Sequence, residues 1–298
     1  MKRRWGVLIA LATALALVAA ACGEDEPAAD QTTPESPTEE PTEEPTGTPI
    51  PEFTTLEEGV LKVGSCLEYP PFEAIEGGDE VGFDVEIAEE VASRLGLEVE
   101  WVRAPFDTIF TALNAGQFDM VAAATTITPE RDEEVNFTDP YFNTRQALIV
   151  NSQERSDIQS VDDLQEGDVV AVLRGSTSLG YAQEELEPRG VVLRTYPAVP
   201  QEFTDLEAGN VDAMLNDESQ SVVEVPKRQN LEIVEYIDTQ EVYGLVFAGE
   251  GAGDLENVAL LDAANIVLAE IIADGTYAEI FMKWFPDNEV PPEFEPEE

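Results

Sequence analysis

The sequence predicts an α/β protein of two lobes, each a mainly parallel sheet flanked by helices, with a hinge between them. Three observations lead there. From residue 60, short apolar runs alternate with stretches whose apolar positions fall at helical spacing. The pattern then repeats: Leu113-Asn114-Ala115-Gly116-Gln117-Phe118-Asp119-Met120 is echoed by Leu206-Glu207-Ala208-Gly209-Asn210-Val211-Asp212-Ala213. Each copy reads as a helix end, a glycine stop and a buried strand. Finally, Tyr243 to Phe247 and a helix from about Leu255 to Ala273 have no third unit to join. They are expected to return to the first lobe, so the chain crosses twice, near Arg145–Leu148 and Glu241–Leu245.

The elements follow in order. Lys2, Arg3 and Arg4 precede an apolar run from Gly6 to Ala21 that is too short to span a bilayer comfortably, so residues 1–21 read as a secretory signal. Val18-Ala19-Ala20-Ala21-Cys22-Gly23 resembles a bacterial lipobox, with Ala19 where that pattern prefers Leu. The resemblance implies that Cys22 is lipidated and becomes the mature N-terminus; an ordinary signal cut near Ala21 is the competing reading. Residues 22–56 read as the lipidated Cys and a linker, for residues 24–52 hold ten acidic residues, seven Pro, six Thr and no Lys or Arg. Such a stretch cannot bury apolar area and should stay extended as a spacer. In the first unit, Val60 to Ser65 is a strand, and Ile87, Ala88, Val91 and Leu95 form one face of a helix stopped by Gly96. Leu97 to Val102 is a strand, Asp107 to Ala115 a helix, Asp119 to Ala124 a strand. In the second, Ser160-Val161-Asp162-Asp163 looks like a helix start, Asp168 to Leu173 is a strand, and Gly175-Ser176-Thr177-Ser178 opens a helix to about Glu187. Val191 to Tyr196 is a strand, a helix runs to Gly209, and Val211 to Leu215 is a strand. The expected division is residues 57–145 plus 244–286 as lobe 1, 146–243 as lobe 2, and an acidic Pro-rich tail at 287–298.

Composition excludes several functions. The chain carries 63 Asp and Glu against 15 Lys and Arg, a net charge of −48, of which the linker's ten acidic residues are a small share. Nucleic acid and anionic lipid are therefore implausible partners, and an acidic surface suited to high salt is the plain reading. There is no His, which removes the usual neutral-pH base and the commonest metal ligand, so no cofactor, metal or Ser-His-Asp catalysis is expected. With Cys22 assigned to the anchor, Cys66 has no intramolecular partner, and no disulfide holds the fold.

Gly82-Phe83-Asp84-Val85-Glu86-Ile87, followed by Val91, Ala92 and Leu95, resembles the signature of the family 3 extracellular solute-binding proteins. Tyr69-Pro70-Pro71-Phe72-Glu73, Thr126-Ile127-Thr128-Pro129-Glu130-Arg131, Phe137-Thr138-Asp139-Pro140-Tyr141, Gly175-Ser176-Thr177 and Asn216-Asp217 complete the likeness, over about residues 58–288. It implies a type II periplasmic-binding-protein fold, whose lobes close on a free amino acid by hinge motion and pass it to an ABC transporter permease. The implied protein is no enzyme. It is extracellular, held to the cell membrane only by its lipid, and a monomer.

A free amino acid presents a carboxylate and an ammonium, and burying either unpaired is costly. Arg131 stands where the family grips the carboxylate, and a planar guanidinium can do so with two parallel bonds. Ser176 and Thr177, at a helix start, favour an anion through free backbone N–H groups and the Thr177 hydroxyl. Asp217, past an apolar strand, suits the ammonium. By the same resemblance Ala124 offers a backbone carbonyl and Thr126 a hydroxyl, with Thr125 as a further candidate, and Tyr69 and Phe106 sandwich the ligand side chain. Cys66 stands where binders of cationic amino acids often carry Asp, and Leu173 where some glutamine binders carry Lys. The expected order of ligands is a polar uncharged amino acid, then a cationic one, then an acidic one. A cyclohexadienyl dehydratase-like enzyme, using Asp217 or Glu68 as its acid, and a sensory lobe are the remaining alternatives.

Overall fold

A computed structural model describes residues 48–296; the signal, Cys22 and most of the linker lie outside the described residues. In chain order the elements are β1 (Val60–Ser65), β2 (Glu68–Tyr69), β3 (Glu73–Glu76), β4 (Asp79–Val81), α1 (Phe83–Arg94), β5 (Glu98–Arg103), α2 (Ile109–Asn114), β6 (Met120–Val121), α3 (Pro129–Asp132), β7 (Val135–Phe137) and β8 (Phe142–Asn151). They continue as β9 (Val169–Leu173), α4 (Thr177–Tyr181), β10 (Val192–Tyr196), α5 (Val199–Glu207), β11 (Ala213–Asp217), α6 (Glu218–Glu224), β12 (Leu231–Tyr243), β13 (Val246–Ala248), α7 (Val258–Ala273) and α8 (Thr276–Trp284).

Two five-stranded sheets result, ordered β5-β1-β6-β13-β7 and β10-β9-β11-β8-β12. In each, three neighbouring strands are parallel, β5-β1-β6 and β10-β9-β11, which is the α/β arrangement the sequence predicts. The other two strands of each sheet run antiparallel to their neighbours. The returning segment enters the first sheet as β13, between β6 and β7. The long strands β8 and β12 pair antiparallel from Leu231↔Asn151 to Tyr243↔Phe142, with a register shift between Ile237 and Glu241. Among the described residues no helix is long and apolar enough to cross a membrane.

One predicted strand is much shorter than its apolar run. Asp119 to Ala124 keeps only Met120–Val121 in the sheet. The cause is Ala124, which has φ +45° and gives its N–H to Asp84 Oδ2 at 2.6 Å rather than to a strand. Asp84 is fully buried and also accepts from the Tyr141 hydroxyl at 2.8 Å. Its place depends on Gly82 (φ +146°), where a Cβ would lie 1.9 Å from the Phe72 carbonyl oxygen. That approach lets the N–H groups of Phe83 and Asp84 bond the carbonyls of Pro71 and Phe72, both at 2.9 Å. The Gly-Phe-Asp signature therefore fixes the turn that carries Ala124 and Thr126.

An aromatic cluster lies beneath the two long strands. Phe72, Phe83, Phe142, Tyr243, Phe281 and Phe285 pack with ring centroids about 5–6 Å apart. The segment after Pro286 is not a wholly solvated tail. Pro292–Phe294 forms a 3-10 turn, and Phe294 is buried with its ring 5.2 Å from that of Tyr277. At the other end packing begins before residue 57. Phe53 lies against the core, and the Leu56 N–H reaches Asp119 Oδ1 at 2.7 Å.

Candidate functional site

The turns after β2, β5, β6, β9 and β11 converge on one small cavity of about 30 Å³. Tyr69, Phe106, Ala124, Thr126, Arg131, Ser176, Thr177 and Asp217 all line it. Thr125, also proposed from sequence, does not. It is fully buried, and its hydroxyl turns back to the Ala123 carbonyl at 3.4 Å. Of the two threonines that follow the backbone reversal at Ala124, only Thr126 lines the cavity. A chamber of about 380 Å³ adjoins it, sharing Cys66, Tyr69, Phe106 and Leu173 and adding Glu68, Arg103 and Gln201.

Arg131 sits on α3, a short helix capped by the Thr128 hydroxyl. Its guanidinium lies 5.6 Å from the ring centres of both Phe106 and Phe110. One N–H goes to the Thr126 carbonyl at 2.7 Å and another to the Gly175 carbonyl at 3.0 Å, in the turn before α4. Eleven of the twelve Lys and Arg residues described lie within 4.0 Å of a carboxylate oxygen; Arg131 alone has no such partner. Burial depresses its pKa, while the Asp217 and Glu241 charges oppose that shift.

Ser176 is the N-cap of α4, accepting from the Leu179 N–H at 3.1 Å. The N–H groups of Thr177 and Ser178, in the first turn, have no intrahelical acceptor. The Thr177 hydroxyl behaves differently from the sequence expectation. It donates to Glu241 Oε2 at 2.7 Å, and the Thr126 hydroxyl donates to the same atom at 2.9 Å. Thr177 Oγ1 also accepts from the Gln146 amide at 3.3 Å, so each hydroxyl keeps at least one lone pair, and no hydrogen, for a further partner, which suits an ammonium better than a carboxylate.

Asp217 ends β11 and is nearly fully buried. The Gln146 amide donates to Asp217 Oδ1 at 2.6 Å and to Glu241 Oε1 at 2.8 Å, bridging the two carboxylates. Tyr243 donates its hydroxyl to Asp217 Oδ2. Burial, reinforced by Glu241, raises the Asp217 pKa to about 6. Glu241 and Gln146 were not identified from sequence. The available signal was an acid at a chain crossing, followed by the apolar run Val242 to Phe247. Glu73 was also missed as a lining residue, although it ends a recognised motif. It is fully buried; its Oε1 accepts from the Cys66 thiol at 3.1 Å and its Oε2 has no partner. Among the described residues no group of His, Cys, Asp and Glu could hold a metal ion.

Comparison with known proteins agrees with this geometry. The chain is 31% identical over 242 residues to the lysine/arginine/ornithine-binding periplasmic protein of Escherichia coli (strain K12), covering 79% of this chain and 91% of the relative. It is 30% identical over 231 residues to the histidine-binding periplasmic protein of the same organism, covering 76% and 87%. A solved ancestral arginine-binding protein bound to arginine superposes with a TM-score of 0.71 at 35% identity, covering 76% of this chain and 98% of that one. These relatives are binding proteins, not enzymes. The model of the bacterial extracellular solute-binding proteins, family 3, matches residues 61–287, and the chain belongs to that family.

Proposed function

We propose that this protein captures a free amino acid outside the cell and hands it to an ABC importer. The observation that carries this is Arg131, the one described cation without a carboxylate partner, lining the same buried cavity as Asp217. In a chain this acidic, a part-buried guanidinium with no carboxylate partner is a seat that an incoming carboxylate fills. Asp217, with the lone pairs of Thr126 and Thr177 and the free carbonyl of Ala124, receives the ammonium. The first-turn N–H groups of Thr177 and Ser178 assist Arg131, while Tyr69 and Phe106 bracket the side chain. Polar uncharged side chains fit that slot; the carboxylate of Glu73 favours a cationic one.

Residues 57–145 with 244–286, and 146–243, act as the two lobes, closing about β8 and β12. Contacts of the kind between Arg131 and the Gly175 carbonyl, and between Arg174 and Asp107 at 3.0 Å, fasten the closed state. The protein works as a monomer, and Cys22, lipidated, ties it to the cell membrane through the linker.

A thermal-shift screen of residues 48–296 against the twenty amino acids and prephenate tests the binding reading. At a hundredfold excess over Kd, a ligand that binds only the native state adds about 2.7 kcal/mol of stability. A hit among the amino acids that disappears in Arg131→Ala and in Asp217→Asn is the expected result. A response to prephenate alone, on protein refolded to strip any bound ligand, would sink the amino-acid reading in favour of the dehydratase-like enzyme. For the anchor, labelled fatty acid should enter the full chain and not Cys22→Ala.

A further inference from the structure

We propose that Glu241 sets the polarity of the ammonium seat, so that the cleft takes an α-amino acid and refuses the α-hydroxy acid of the same shape; this rests on the amino-acid reading above. Glu241 is nearly fully buried near the end of β12. The β8–β12 register shifts between Ile237 and Glu241, with Gln240 at φ +53°, and such a break bends the strand just before Glu241. Four hydrogens reach its carboxylate. Oε1 accepts from the Gln146 amide and the Thr239 hydroxyl, both at 2.8 Å. Oε2 accepts from the Thr177 hydroxyl at 2.7 Å and the Thr126 hydroxyl at 2.9 Å. A carboxylate offers about four lone-pair sites, so Glu241 has none left for a ligand, and it does not line the cavity. It is a positioning residue, acting through the two threonines.

A hydroxyl has one hydrogen, and Glu241 takes both that Thr126 and Thr177 have. Their oxygens can then only accept from whatever enters the cavity. Asp217 and the Ala124 carbonyl are acceptors as well, so every partner of the ligand's α-substituent is of one kind. An ammonium meets them with three N–H groups and a charge. An α-hydroxyl has a single hydrogen, so it sets lone pairs against lone pairs, and unpaired buried polar atoms weaken binding. Thr126 belongs to the first lobe and Thr177 to the second, so one oxygen of Glu241 orders both walls of the seat.

Glu241→Gln tests this, because the surroundings dictate how the new amide sits. Its carbonyl oxygen takes the place of Oε1, against the Gln146 N–H and the Thr239 hydroxyl. Its NH2 group takes the place of Oε2 and donates to the Thr126 and Thr177 oxygens, which frees both hydroxyl hydrogens for the cavity. The probes are L-arginine and L-glutamine, each beside its (S)-2-hydroxy analogue, measured by calorimetry. The wild type is expected to bind the amino acid at least about a hundredfold tighter than the hydroxy acid. In Glu241→Gln the amino acid should weaken and the hydroxy acid tighten, so that the ratio falls by about tenfold or more. Opposite signs separate this role from a structural one, which would weaken both ligands alike. A second readout is the pH at which amino-acid affinity falls. After burial, Glu241 is the main cause of the raised Asp217 pKa, and the substitution leaves Arg131, Glu202, Tyr69 and Tyr243 around it in place. The fall should therefore move below about pH 6. An unchanged ratio, or both ligands weakened alike, would overturn the proposal. If that variant does not fold, Glu241→Asp keeps the charge but draws it away from the two threonines. The ratio should drop there too, and a ratio equal to the wild type's would be equally fatal. Failure of all twenty amino acids in the thermal-shift screen would instead bring down the receptor reading itself.

Discussion

Asp217 and Glu241 share one amide, that of Gln146, and both lie in the interior. Burial, and next the charge of Glu241, raise the Asp217 pKa to about 6. Asp84, pushed to about 7 by burial, adds a second such group. Both folded values exceed the ordinary 3.8, so between about pH 4 and pH 7 the native chain holds protons the unfolded chain has lost. Unfolding free energy of the ligand-free protein is therefore expected to fall as pH rises through that window. Denaturant titrations at several pH values should show it, with the slope reduced in Asp217→Asn. Ligand affinity runs the opposite way. The ammonium needs the ionised carboxylate, so affinity should weaken as pH falls below about 6, by about tenfold per unit once protonation dominates. A calorimetric series that stayed flat from pH 8 to pH 5 would remove Asp217 from the ammonium seat.

At the scale of elements, what could be read from sequence was what local pattern determines. The apolar run Val60–Ser65 became β1 with the same bounds, and the helix whose face is Ile87, Ala88, Val91 and Leu95 is α1, Phe83–Arg94. β12 was missed because Leu231–Tyr243 is half-exposed and rich in acids, so neither a continuous apolar run nor a clean alternation marks it. β6 was overdrawn because a tertiary bond, Ala124 to Asp84, ends it. The site followed the same rule. Residues in recognisable motifs were found, whereas Gln146 and Glu241 reach the lining residues Asp217, Thr126 and Thr177 from β8 and β12, whose pairing no local pattern encodes. Gly82→Ala tests the link between motif and site. Its Cβ would collide with backbone, so the variant should lose several kcal/mol or fail to fold. Gly77→Ala, with φ +67° and open space around it, should lose only about 1–2 kcal/mol. Comparable denaturation midpoints for the two would contradict that role for Gly82. Phe294→Ala is expected to lower stability by about 3 kcal/mol, because the ring is buried on Tyr277. A freely solvated tail would give no change.

For the whole molecule the decisive quantity is a net charge of −48 on 298 residues. Nearly all the cations described are already committed. Arg155, for example, holds Asp157 at 3.0 Å, Asp168 at 3.0 Å and Asp212 at 2.5 Å. Added salt acts on two opposing contributions. It screens these pairs, which are mostly part-exposed and worth about 0–1 kcal/mol each. It also screens repulsion among a far larger number of carboxylates without a partner, and that contribution grows with the square of the excess charge. Repulsion should win, so the melting temperature is expected to climb as NaCl rises from about 0.05 M to about 1 M, where the screening length has shrunk to about 3 Å. Sodium chloride is the right salt, because sulfate would also strengthen apolar burial and confuse the cause. The same field should hasten the arrival of a cationic ligand at low salt and lose that advantage as salt rises, while a neutral ligand's association rate stays level. Stopped-flow association of arginine and citrulline across one salt series, beside the melting curves, reads both effects. Constant stability would show that the acidic surface is spaced widely enough not to repel itself. Equal salt slopes for the two ligands would show that the charge does not focus on the cleft.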